Sequence, residues 1–233
     1  MNDRLTVTAV VTNKCNFRCL NCVAGCPSDG PEIDFDSMLN WLDKYAKGCC
    51  LHISGGEPLL VDGIFEKIKK CIDAGHDVSL FTNGSMIAHN MEMLKLPIKW
   101  HITHHAEGMS LGDFLHCIGS VKNKKHVVCR LRHGDNALNK KNETEAKYGD
   151  FNFKWIVPYN GYFGYDCKSK VDVCNKILMI GIDGKVYPCS TVKKGEIGNI
   201  YDMTFNTEHT DNFTCGSGST CQALQSAEIM RNI

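Results

Sequence analysis

The feature that most constrains this chain is a regular alternation of short apolar runs with amphipathic, helix-like segments. Leu5–Val11 reads as a strand, Ser37–Lys47 as a helix and Cys50–Ser54 as a short buried strand. Asp62–Ala74 follows as a helix stopped at Gly75, then Asp77–Phe81 as a strand ending in the turn signal Thr82-Asn83-Gly84. The alternation continues through helix-like Met86–Leu94, strand Ile98–Thr103, helix Leu111–Val121 and strand Val127–Leu131, and ends more weakly with Lys140–Lys147 and Phe153–Val157. About six β/α units joined by crossover helices predict an α/β fold whose parallel sheet is covered on its faces. Such a sheet closes into an open partial barrel or stays doubly wound, and in both cases the chemistry sits beyond the carboxyl ends of the strands. After Pro158 the texture changes: Tyr159–Asp166 is rich in Gly and Tyr, and cysteines, glycines and short strand runs follow. The expected division is therefore a first domain over 1–160 and a smaller Cys-rich one over 161–233.

Composition matters here mainly through cysteine. There are 14 cysteines among 233 residues, and they are bunched, with Cys15, Cys19, Cys22 and Cys26 in one group and a second group from Cys167 to Cys221. A disulfide framework suits short secreted domains, whereas Met1-Asn2-Asp3-Arg4-Leu5-Thr6 lacks a signal-peptide core and no apolar stretch approaches a membrane span. The expected setting is cytoplasmic, without a membrane partner. Lys plus Arg equals Asp plus Glu at 26 each, so no global field selects nucleic acid. Clustered thiols in a reducing compartment point to metal or catalysis.

Cys15, Cys19 and Cys22 are spaced C-x3-C-x2-C directly after the first strand. Thiolates are soft ligands for iron–sulfur clusters, zinc or copper(I), so a cluster and a zinc site completed by Cys26 or a histidine both stay open on spacing alone. Ser54-Gly55-Gly56-Glu57-Pro58 follows the second strand, where side-chain-free Gly55 and Gly56 let backbone approach a ligand closely. Read alone, either that segment or Thr82-Asn83-Gly84 is simply a turn.

Taken together, in this order and on these strand ends, the three segments resemble the radical S-adenosylmethionine (SAM) superfamily over residues 5–158. The resemblance implies a [4Fe-4S] cluster on Cys15, Cys19 and Cys22, with Phe17 as the aromatic before the middle cysteine and one iron open to SAM. It implies further that Gly55, Gly56, Glu57 and Pro58 meet the methionine amino group of SAM, and that Thr82 and Asn83 sit near its ribose. The superfamily's reaction is reductive cleavage of SAM to a 5′-deoxyadenosyl radical that removes a substrate hydrogen, fed by a donor such as flavodoxin or ferredoxin.

Leu178–Pro188 places two strand-like runs about Asp183-Gly184, a hairpin signal. With Cys174 before it and Cys189 after it, this region resembles the SPASM/twitch extension, which implies a second, auxiliary [4Fe-4S] cluster on Cys174, Cys189, Cys215 and Cys221. Cys215 and Cys221 are spaced more widely than the extension's usual pair, and a zinc knuckle is the alternative. Cys167 is a spare thiol that either substitutes for a ligand or serves the reaction. The other cysteines, at 49, 50, 71, 117 and 129, fall in or beside apolar runs and read as small hydrophobes, while Cys26 is ambiguous.

Three further groups bear on substrate. His101, His104 and His105 flank a strand end that should face the site, as proton shuttles or as hydrogen-bonded bystanders. Arg130 and Arg132 are two residues apart on the fifth strand and so share a face, either lining the barrel against an anion or pointing outward to Asp135 or Glu143. The expected substrate is a polar or anionic small molecule, peptide or nucleotide. A non-catalytic zinc or iron–sulfur protein is the reading from a different class.

Overall fold

The computed structural model describes residues 4–19, 22, 25–105, 107–121, 127–131, 142, 154–156, 177–188 and 195–207. Six strands run parallel in sequence order: β1 (Thr6–Val10), β2 (Cys50–Ser54), β3 (Asp77–Thr82), β4 (Lys99–His104), β5 (Val127–Leu131) and β6 (Lys154–Ile156). Helices α1 (Phe35–Tyr45), α2 (Ile64–Asp73) and α3 (Leu111–Ile118) fall between them, as crossover connections require. Of the two α/β arrangements the alternation left open, this matches the partial barrel.

The register fixes what each face carries. Val7, Leu51, Val78, Leu80, Trp100 and Ile102 lie in one core with Met38, Trp41 and Leu42 of α1, Ile68 of α2 and Phe114 of α3. The alternate positions carry Thr8, His52, Ser79, Phe81 and His101 instead; Phe81 stacks on His101 with ring centroids 4.4 Å apart and packs against His52 at 5.2 Å. Period-two alternation thus separates a greasy, helix-covered face from one with imidazoles and hydroxyls.

Two of these three helices start on a side-chain cap. Asp34 caps α1 by accepting from the backbone N–H groups of Asp36 and Ser37, and Ser110 caps α3 by accepting from Asp113 N. Met86–Leu94 departs from the expected helix and forms two 3-10 turns, Ile87–His89 and Met91–Lys95. Asn90 sits between them with its side-chain amide donating to the carbonyls of Met86 and Leu59, the kind of local side-chain bond that competes with a continuous helix.

The expected hairpin forms as β7 (Ile177–Ile180) and β8 (Lys185–Tyr187), followed by β9 (Gly198–Asn199) and β10 (Thr204–Phe205). Its place was not foreseen: β7 pairs in parallel with β1, so one ten-stranded sheet runs β10-β9-β8-β7-β1-β2-β3-β4-β5-β6. Trp41 Nε1 and Tyr45 Oη of α1 donate to the carbonyls of Thr204 and Met203, and Phe205 packs edge-on to Trp41. The boundary expected at 160 lies outside the described residues. Among the described residues no helix is long and apolar enough to cross a membrane.

Candidate functional site

Three loops meet at the carboxyl ends of β1, β2 and β3. The first leaves β1 at Val11 and returns to it: Asn13 N donates to Pro31 O and Cys15 N to Pro27 O, which closes residues 13–31 into one loop. Cys15, Cys19 and Cys22 sit on it as half-buried thiols free of disulfides. Cys22 N donates to Cys19 O at 3.1 Å, a tight turn that keeps these two cysteines together. Arg18 turns back to donate to the carbonyls of Cys15 and Phe17, both at 2.7 Å.

The second loop is Gly55–Pro58. Gly56 N donates to Thr12 O and Glu57 N to Lys14 O, so it runs flush against the start of the cysteine loop. A Cβ on Gly55 would lie 2.4 Å from Thr12 O, and one on Gly56 would lie 2.2 Å from Lys14 O. The group that lies close to these glycines is the chain's own backbone. Pro58 opens a short 3-10 turn, Pro58–Leu60, whose cap is Glu57.

Glu57 is fully buried. Its carboxylate accepts from Thr82 Oγ1 at 2.6 Å, Asn83 N at 2.7 Å and Leu59 N at 3.1 Å, and so ties the second loop to the third. Burial pushes its pKa up from the ordinary 4.5 to about 6, against these three donors, which pull it down. The third loop closes the triangle, because Asn83 Nδ2 donates to Asn16 Oδ1 at 3.0 Å and Asn16 Nδ2 donates to Ser85 Oγ at 2.8 Å. The side chains of Glu57, Thr82 and Asn83 thus bond to the chain itself and hold the loops in mutual register.

A fourth segment joins from β4. Phe17 is buried over Gly108, where any Cβ would lie 2.3 Å from the Phe17 ring. His105 meets Phe17 edge-to-face at 6.4 Å, and its Nδ1 lies 3.5 Å from Cys19 Sγ. Ligand atoms of Cys19, His105 and Glu107 lie within 4.8 Å of one another. The sequence pattern brought His105 to the site's edge but not Glu107 and Gly108; the signal available was a Gly three residues beyond a strand-end His-His pair.

The other expected site residues divide simply. Arg130 lies on β5, in register with Thr103 of β4 and Ile156 of β6. Arg132, Cys167, Cys174, Cys189, Cys215 and Cys221 lie outside the described residues. Cys26, ambiguous in the sequence, is buried, and burial followed by the nearby Cys22 pushes its thiol up to about 12.

Comparison with known proteins agrees with this geometry. Residues 9–110 match the Radical SAM superfamily. A probable GTP 3′,8-cyclase of Methanocella arvoryzae is 34% identical over 92 residues, covering 36% of this chain and 28% of that protein. An AdoMet-dependent heme synthase of Methanosarcina barkeri is 35% identical over 81 residues, covering 33% of this chain and 23% of that protein. The matched segments thus span less than a third of these relatives' lengths. Among solved structures, anSMEcpe with bound AdoMet and Cp18Cys peptide superposes with a TM-score of 0.63 at 18% identity, over 88% of this chain and 80% of that one. BtrN in an open conformation covers 99% of this chain and 86% of its own, with a TM-score of 0.54 at 17% identity. The family match over residues 9–110, the fold and the order of the loops agree in their similarity to the radical SAM superfamily.

Proposed function

We propose that this chain is a radical SAM enzyme that activates an unreactive C–H bond of a polar or anionic substrate. The observation that carries the reading is the closed triangle of hydrogen bonds joining the cysteine loop, Gly55–Pro58 and Thr82–Ser85. It turns three motifs scattered over 70 residues of sequence into one preorganised rim.

The residues present fit a [4Fe-4S] cluster. Three half-exposed thiols free of disulfides on one closed loop supply soft ligands for three irons and leave the fourth for a small molecule. When bound, the cluster supplies the electron for reductive cleavage of SAM and hence the 5′-deoxyadenosyl radical. The protein's own contribution is positional. Gly55 and Gly56 bring the second loop flush with the first and keep the rim free of side chains there. Glu57 clamps the second loop to the third, and Phe17 on Gly108 seals the side facing β4.

A second cluster on Cys174, Cys189, Cys215 and Cys221 is part of the same proposal, supported by the sequence pattern around the β7–β8 hairpin. Arg130, level with Thr103, supports an anionic substrate, with Arg132 beside it in sequence and Cys167 as a spare thiol. The curated names among similar proteins include a GTP cyclase and a heme synthase, and a peptide is bound in one structural neighbour, so the substrate is assigned by chemistry only. A reductant of the flavodoxin or ferredoxin type completes the scheme.

One observation favours a second reading. Cys19, His105 and Glu107 form a three-ligand set that also suits zinc, with a fourth position to be filled by water or a further ligand. Metal analysis of protein reconstituted anaerobically with both metals separates the two. Under the first reading it holds about eight irons in two clusters, and deuterium from the right substrate enters 5′-deoxyadenosine. Zinc in place of iron, with no deoxyadenosine formed, would establish the second.

A further inference from the structure

We propose that His105 positions and tunes the cysteine thiolate of Cys19, donating its Nδ1–H to Sγ and raising the reduction potential of the cluster held there. The inference rests on the cluster reading above. Its geometry comes from the protein alone: Nδ1 lies 3.5 Å from Cys19 Sγ, within reach for a sulfur acceptor.

A thiolate bound to iron carries no proton, so in any hydrogen bond between these two atoms the imidazole must be the donor. Reduction adds negative charge to the cluster and its sulfurs, and a donor aimed at a ligand sulfur stabilises the reduced form more than the oxidised one. Hydrogen bonds to cluster sulfurs are among the levers that set such potentials.

Phe17 touches the imidazole, and the backbone that carries it is fixed on the β4 side. Gly108 N and Met109 N both donate to His105 O at 3.0 Å, which folds the chain after β4 into a tight turn. The neighbouring His104 ring is fixed through Nε2 at 2.9 Å from Met109 O. Phe17, two residues before Cys19, meets the His105 ring edge-to-face and is itself seated on Gly108. The cysteine loop and the β4 loop therefore move as one, and the Nδ1–Sγ distance follows from that packing. Glu107, within 4.8 Å of both groups, completes the zinc-like set, but a cysteine committed to iron leaves His105 the role of donor.

The test compares full-length wild type, His105→Phe and His105→Asn, each reconstituted anaerobically. Iron and acid-labile sulfide are counted first. The potential of the cluster whose EPR signal responds to SAM is then measured by redox titration. His105→Phe keeps an aromatic ring on Phe17 and removes the donor, so iron content should hold while the potential moves to a more negative value. His105→Asn offers a shorter N–H donor and should recover part of the shift. Equal potentials in wild type and His105→Phe at full iron loading would overturn the proposal, as would loss of iron in both variants, which would make His105 a ligand. Wild type without iron on Cys15, Cys19 and Cys22 would overturn the cluster reading itself, and the iron count reports that failure separately.

Discussion

The rim at the strand ends and the layer between sheet and helices use the same residue types for opposite purposes. Cys49 and Cys71 lie in the helix-side layer, where burial pushes both thiols up to about 12. Cys49 Sγ lies 3.2 Å from His76 Nδ1, and Cys71 Sγ donates to Lys67 O at 3.3 Å. A thiol that stays protonated is a small hydrophobe, and these two pack as such. Cys15, Cys19 and Cys22 sit half-exposed on a loop that neighbouring loops hold in place. Under the proposed function these three are ligands and the buried two are fillers, and the two regions can be pulled apart by mutation.

The largest effect belongs to Gly56→Ala. Its Cβ meets backbone at Lys14, which cannot rotate away, so the rim must open. A loss of about 3 kcal/mol is expected, measured as a lower urea midpoint at unchanged slope, together with loss of SAM binding. Wild-type behaviour of this variant would break the claim that the loops are locked together.

Next comes the matched cysteine pair. Cys71→Ser puts a hydroxyl into an apolar layer and should cost roughly 1–3 kcal/mol while leaving deoxyadenosine formation per folded molecule unchanged. Cys19→Ser should do the reverse, with iron and activity lost and the stability of the cluster-free protein within about 0.5 kcal/mol of wild type.

Glu57 gives a pH signature of similar size. Its folded pKa of about 6 lies above the ordinary 4.5, so between those values the folded state binds more protons than the unfolded one. Stability therefore falls as pH rises through this window, by about 2 kcal/mol at 1.36 kcal/mol per unit. Denaturant titrations of the cluster-free protein at pH 4.5 and 6.5 should show the drop. Glu57→Gln should remove it and also weaken the rim, because its amide presents a donor where Asn83 N or Leu59 N needs an acceptor.

The smallest expected effects sharpen the contrast. Asn16→Ala and Asp34→Ala each remove local hydrogen bonds worth about 1 kcal/mol, one at the rim and one at the start of α1. Only Asn16→Ala should lower the affinity for SAM.

Much of this was legible in sequence because it is local. Strands β2 and β5 run over the expected residues, since a β-branched or apolar run bounded by turn residues specifies itself. The cysteine, Gly-Gly-Glu-Pro and Thr-Asn-Gly segments fell at strand ends as the alternation demanded. Partnership over long separations was not legible. That β7 would pair with β1, 171 residues away, depends on three-dimensional closure and leaves no periodic trace. The same holds for Gly55 and Gly56, whose small size answers to Thr12 and Lys14 and not only to a ligand. The helix read over Met86–Leu94 failed at one residue, Asn90, whose amide outbid the helical hydrogen bonds.

The central claim is that Cys15, Cys19 and Cys22 hold a cluster that cleaves SAM. It is tested most directly by incubating the reconstituted protein anaerobically with SAM and dithionite and quantifying 5′-deoxyadenosine. Wild type should form it, and the variant with all three cysteines replaced by alanine should form none while keeping about four irons on the second cysteine group. No deoxyadenosine from fully iron-loaded wild type, or equal amounts from the triple variant, would contradict the account.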